Sequence, residues 1–295
     1  MAGLRKVRAI IKWFIPDSLL YHYLTPLFKI LTKASEKPRK QLRFQINLTD
    51  HCNLNCAGCT AFSPLAEEKY MDVDGFERDC ARLSELAGGK IELIDLLGGE
   101  PLLHPEIARI VEIARKYFDG DINIVTNGVL LTKMPEVFWH VCHKNDIGII
   151  ISGYPIKLKI EEIQKHAESN KVKLVIRGGT NDIKIWNKVP YDLSGKQNPV
   201  KNFRICYGAN MCINLENGRL ATCPIPFVIK QFNKFFHQNI PVLESDTINI
   251  YKVKSIEEIF DFLRRPNTQC NYCNLKGIKY GIDWAVSKKD INEWV

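Results

Sequence analysis

From Leu42 onward, apolar and polar positions fall into alternating strand and helix patterns. Leu42–Leu48 alternates Phe44 and Ile46 with Arg43, Gln45 and Asn47, the period of a half-buried strand. Asp72–Leu86 reads as a helix, and Pro105–Tyr117 as a second with Ile107, Ile110, Val111 and Ala114 on one face. Ile91–Leu97 predicts a buried strand, Asp121–Val125, Ile147–Ile151 and Val172–Ile176 three more, and Ile160–Ser169 a helix. This repetition predicts an α/β fold over residues 41–200, a parallel sheet either open or curved into a partial (β/α) barrel. After residue 180 the rhythm fades, and residues 201–295 read as a smaller, cysteine-anchored unit. No internal repeat is visible.

Ahead of the sheet, Leu4, Val7, Ile10, Ile11 and Phe14 recur at helical spacing, and Leu19 to Phe28 continue an apolar face. The net charge of +8 is concentrated there: residues 1–40 hold nine Lys and Arg against Asp17 and Glu36, so that extension is +7. It reads either as helices packed on the domain or, through residues 1–31, as a basic amphipathic face for an anionic membrane surface. The apolar run Trp13–Phe28 is interrupted by Pro16, Asp17, His22 and Pro26, too broken to span a bilayer. A basic patch outside the catalytic region argues against a nucleic-acid enzyme. With no secretory pattern, the ten cysteines point to a cytoplasmic protein that uses them for metal or redox work.

Ligand sites in parallel sheets lie at the C-terminal strand ends. Five segments are expected to converge there: the Cys52–Cys59 loop, Gly98-Gly99-Glu100-Pro101, Thr126-Asn127-Gly128, Ser152-Gly153 and Arg177-Gly178-Gly179. Three thiolates at Cys52-x3-Cys56-x2-Cys59 can each hold one iron of a cubane and leave the fourth open. The alternative is a zinc site completed by His51 or a distant cysteine.

The cysteine triplet after the first strand, with the Gly-Gly-Glu motif after the second, resembles the radical S-adenosylmethionine (SAM) superfamily. Gly58, where the family often has an aromatic residue before the third cysteine, is a departure that bears on contacts to the adenine. The resemblance implies a [4Fe–4S] cluster on Cys52, Cys56 and Cys59, with SAM chelating its open iron. Gly98, Gly99 and Glu100 would hold the SAM amino group, and Asn127, Ser152 and Arg177 would meet its ribose or carboxylate. Turn formation and strand-end capping are the ordinary alternative for Asn127 and Ser152.

Cys206, Cys223, Cys270 and Cys273, with Gly218 five residues before Cys223, resemble the C-terminal auxiliary-cluster regions called SPASM and twitch domains. A full SPASM unit needs more cysteines, so the twitch form with one auxiliary [4Fe–4S] cluster fits better. Cys212 rivals Cys206 as a ligand, and four-cysteine zinc is the alternative. Cys80 and Cys142 read as buried small hydrophobes.

The resemblance implies reductive SAM cleavage to a 5′-deoxyadenosyl radical, hydrogen abstraction from a substrate C–H bond, and an electron donor such as flavodoxin or ferredoxin. Motif context and the twitch-like tail favour a small sugar-type substrate, oxidised or epimerised, in surface-polysaccharide or related metabolism. Modification of a ribosomal peptide, activation of a glycyl-radical enzyme, and a structural-zinc interaction module are the alternatives.

Overall fold

The structure is a computed structural model that describes residues 40–177, 186–206, 208, 209 and 211–295. The helical and membrane-surface readings of the N-terminal extension lie outside the described residues, as do Gly178 and Gly179. Among the described residues no helix is long and apolar enough to cross a membrane.

Among the described residues, five parallel strands make up one side of an eight-stranded sheet, running inward from the edge strand β5 to β1: β1 (Leu42–Asn47), β2 (Ile91–Leu97), β3 (Asp121–Thr126), β4 (Ile147–Ser152) and β5 (Leu174–Arg177). Crossover helices α1 (Val73–Ala87), α2 (Ile107–Tyr117), α3 (Glu136–Lys144) and α4 (Ile160–Ser169) join them. Alternation along β1 explains the layering. Leu42, Phe44 and Ile46 enter a core with Phe76, Cys80 and Leu83 of α1 and Ile110 and Val111 of α2. Arg43, Gln45 and Asn47 take the opposite face, which stays polar. Cys142 of α3 is buried in the same core as Cys80, as their apolar neighbours predict.

Helix α1 begins where Asp72 accepts from the amides of Asp74 and Gly75, a cap that contributes about 1 kcal/mol. It ends at Gly88 in the left-handed region, φ 52°. Strand β5 starts two residues later than the apolar run predicts, because the Val172 amide still closes α4 on the Ala167 carbonyl at 2.8 Å.

The faded region is more regular than its pattern implies. After β6 (Trp186–Lys188) and α5 (Pro199–Ile205), β7 (Asn214–Glu216) pairs parallel to β1, with β8 (Arg219–Ala221) and β9 (Ile248–Asn249) antiparallel beyond it. Helix α6 (Ile225–Phe236) follows β8, α7 (Ile256–Phe262) follows β9, and β10 (Lys279–Ile282) pairs with β6 in a separate ribbon. Two side chains of α1 fasten the β7–β9 extension. Asp79 accepts from the Gly218 amide at 2.6 Å and the Tyr251 hydroxyl at 2.7 Å, and Arg82 donates to the carbonyls of Ile250 and Val253.

Candidate active site

The cysteine loop follows β1 and is sewn to the end of β2. The Gly99 amide donates to the Thr49 carbonyl at 2.8 Å, and the Glu100 amide to the His51 carbonyl at 3.1 Å. A Cβ on Gly99 would stand 1.8 Å from the His51 carbonyl oxygen, so only glycine permits this approach. Gly98, at φ 146°, is also crowded: a Cβ there would stand 2.6 Å from the Thr49 carbonyl oxygen.

Glu100 is fully buried, and its carboxylate is spent on the protein. It accepts from the Thr126 hydroxyl at 2.6 Å and from the amides of Asn127 and Leu102. Burial raises its carboxyl above the usual range, against those three donors. Asn127, positioned in this way at the end of β3, donates to Asn53 at 2.7 Å and approaches the Cys52 sulfur at 3.8 Å. Its place is therefore beside the first cysteine. Ser152 pairs in register with Arg177 at the ends of β4 and β5, and Arg177 is exposed on the polar face.

None of the ten cysteines is in a disulfide. Burial raises the Cys52 thiol and pushes Cys56 up to about 12, and the charge of Cys59 adds to both. Opposing this, the Leu54 amide donates to the Cys52 sulfur at 3.5 Å, and the Trp284 indole lowers Cys56. Trp284 Nε1 is nonetheless buried with no acceptor at hydrogen-bond distance, so we read it as a donor facing Cys56 across a gap. Among the described residues, no three His, Cys, Asp or Glu side chains close on one point as ligands of a single ion do. Cys52, Cys56 and Cys59 act on one another's charge, so the three thiols share one neighbourhood, and thiols are the donor set that an iron–sulfur group takes. His51 Nδ1 is engaged by the Lys69 amide at 3.3 Å.

A distant segment covers this loop. The Ala57 amide donates to the Ala285 carbonyl, the Ser287 amide to the Asn55 carbonyl, and Trp294 Nε1 to the Cys59 carbonyl at 2.8 Å. Tyr154, just past β4, is held far above its ordinary range by burial, with Cys56, Cys59, Cys52 and Glu100 adding to the effect. Neither Tyr154 nor the two tryptophans carry a motif signal. A tyrosine two residues beyond a strand end that faces the thiols was the nearest clue.

The second set is held as firmly. Asn202 donates to the carbonyls of both Cys270 and Cys273, at 2.9 and 2.6 Å. Asn267 donates to the Cys223 sulfur at 3.4 Å and accepts from Cys270 at 3.6 Å. Burial pushes Cys223 to about 11 and Cys270 to about 12, and each feels Cys206. Cys273 is raised by burial, with Cys206, Cys223 and Cys270 adding to it. Cys206 and Cys212 both lie beside Gly208, their sulfurs 3.8 and 3.9 Å from where its Cβ would stand.

Across the polar face, one row runs Asn214 (β7), Gln45 (β1), Asp95 (β2) and Asn123 (β3), all in register. Gly148 of β4 completes it, where a Cβ would meet Asn123 Oδ1 at 2.4 Å. Asn123 donates to Asp95 at 3.2 Å, and Asn214 Oδ1 is buried without a donor. Burial raises the Asp95 carboxyl, opposed by Asn123, Arg177 and Arg43. Beside the row lies a cleft of about 280 Å³ lined by Arg43, Asn123, Lys173 and Arg177.

Residues 46–141, which contain the cysteine loop, the Gly-Gly-Glu seam and Asn127, match the family model described as the Radical SAM superfamily. Over that stretch the chain is similar to the radical SAM superfamily. Curated relatives include the probable GTP 3′,8-cyclases of Methanothermobacter thermautotrophicus and Pyrococcus abyssi. The first is 26% identical over 50% of this chain and 53% of its own length. The second is 28% identical, over 55% and 56%. The chain thus spans about half the length of these two relatives. The GTP 3′,8-cyclase of Clostridium acetobutylicum is 24% identical over 78% of this chain and 76% of its own. Among solved structures, BtrN in complex with AdoMet and 2-DOIA covers 81% of this chain and 94% of its own, at TM-score 0.47 and 15% identity. Native anSMEcpe with bound AdoMet covers 79% and 82%, at the same score and identity. Within the stretch similar to the radical SAM superfamily, the Gly-Gly-Glu motif is the seam that fixes the cysteine loop.

Proposed function

We propose that this chain is a radical SAM enzyme in which Cys52, Cys56 and Cys59 hold a [4Fe–4S] cluster whose open iron takes SAM. The seam between the cysteine loop and Gly98–Glu100 carries the reading, because it presents three thiols on a loop that cannot shift independently of the strand end. When bound, the cluster and SAM supply a 5′-deoxyadenosyl radical that removes hydrogen from a C–H bond. The chain's own residues position that chemistry. Glu100 fixes Asn127, Asn127 steadies the first cysteine, and the segment around Ala285–Trp294 fastens the loop from its other side.

In this reading Gly98, Gly99, Glu100, Asn127, Ser152 and Arg177 are the SAM-side residues. Cys206, Cys223, Cys270 and Cys273 hold an auxiliary [4Fe–4S] cluster in residues 201–295, and a flavodoxin- or ferredoxin-type protein donates electrons. The substrate rests on the polar row. Alternating acceptors and donors from Asn214 to Asn123 suit a polyhydroxylated ring, and Asp95 is the group that holds or takes a hydroxyl proton. A sugar-type substrate, oxidised or epimerised, is the favoured reading. The relatives named GTP 3′,8-cyclase favour a purine nucleotide as the second.

The test is 5′-deoxyadenosine formation by anaerobically reconstituted protein, with a strong reductant, against nucleotide sugars and GTP. Stimulation by a nucleotide sugar supports the first reading, and stimulation by GTP alone moves the assignment to the second. Zinc in place of iron, or no SAM cleavage, overturns the enzyme class. Asp95→Asn should weaken the stimulation about tenfold or more, consistent with losing one charged hydrogen bond of about 1.5–3 kcal/mol.

A further inference from the structure

Tyr191 is 5% exposed, and its hydroxyl is buried with no hydrogen-bond partner. Its ring is locked among aromatic and aliphatic groups that offer no acceptor: Phe62 at 5.6 Å, Phe232 stacked at 6.0 Å, Ile229 and Leu65. The backbone is pinned as well. The Tyr191 amide donates to the Trp294 carbonyl at 2.7 Å, the next amide donates to the Tyr272 carbonyl at 2.7 Å, and Tyr191 bridges to Cys273. The hydroxyl therefore cannot swing to solvent. The charges that bear on it are four sulfurs, those of Cys273, Cys223, Cys206 and Cys270.

A buried hydroxyl without a partner costs roughly 1–3 kcal/mol, which phenylalanine at the same place would avoid. We propose that the Tyr191 hydroxyl donates a hydrogen bond to a sulfur of the iron–sulfur group held by Cys206, Cys223, Cys270 and Cys273, raising the potential at which that group accepts an electron. The inference rests on the auxiliary-cluster reading above. Hydrogen bonds to cluster sulfurs favour the more negative, reduced state, so a donor here raises the potential and its loss lowers it. Tyr191 is thus a positioning and tuning residue, outside direct contact with the substrate.

The experiment uses the full chain with Cys52, Cys56 and Cys59 replaced by Ala, so that only the auxiliary group titrates. Midpoint potential and the EPR line positions of the reduced state are compared with and without Tyr191→Phe, together with urea unfolding of the two chains free of iron. The expected result is a more negative potential and shifted lines in Tyr191→Phe, with the iron-free chain as stable as its parent or more so. An unchanged potential and spectrum with full iron content overturns the inference and leaves the auxiliary cluster standing. Absence of iron in the Tyr191-containing parent overturns the cluster reading and the inference together.

Discussion

Replacing Cys52, Cys56 and Cys59 by Ala will abolish 5′-deoxyadenosine formation and lower bound iron from about eight to about four atoms per chain. The loss is complete because no described side chain stands ready to substitute. His51 is engaged by Lys69, and the remaining cysteines are in the core or with the second set. Single replacements will be nearly as damaging, since a cubane left with two protein ligands exposes two irons. The check is iron and sulfide analysis with product quantification under a strong reductant. Residual product above background in the triple variant would remove these thiols from the reaction.

Gly99→Ala is expected to act almost as strongly without touching a ligand. A methyl group 1.8 Å from the His51 carbonyl must push the cysteine loop off the β2 end, breaking the bonds from Gly99 and Glu100 that hold it. Backbone on both sides of the clash cannot yield as a flexible side chain would. A loss of about 3 kcal/mol or more is expected. The readouts are the melting temperature of the iron-free chain and iron content after reconstitution, which should fall toward the share of the second set alone. A variant that melts with wild type and binds full iron would show that the loop is positioned by something other than this seam.

The sheet core was legible because its elements are long enough to show a period and carry local punctuation, as with Asp72 at the start of α1 and the alternation through β1. The C-terminal half was not. Strands β7, β8 and β9 have two or three residues each, too few for any period, and they exist because β1 offers a partner. Helix α6 opens on Pro224 and Pro226, which signal a break in the sequence but sit comfortably in a first helical turn. The cysteines were visible because thiol spacing is itself the signal. Asp95 was hidden as one of two carboxylates, with Glu92, in an otherwise apolar run, and Tyr191 and Trp294 depend on contacts that no local pattern encodes.

The cover over the cysteine loop also sets an order of events. Trp294 meets Cys59 across 235 residues of chain. At about 5–20 residues per second, translation needs on the order of 10–50 s to bridge that distance. Throughout that interval the three thiols have emerged and their cover does not yet exist. An assembly factor working on the nascent chain meets an open loop, whereas one working after release must first lift the Ala285–Trp294 segment.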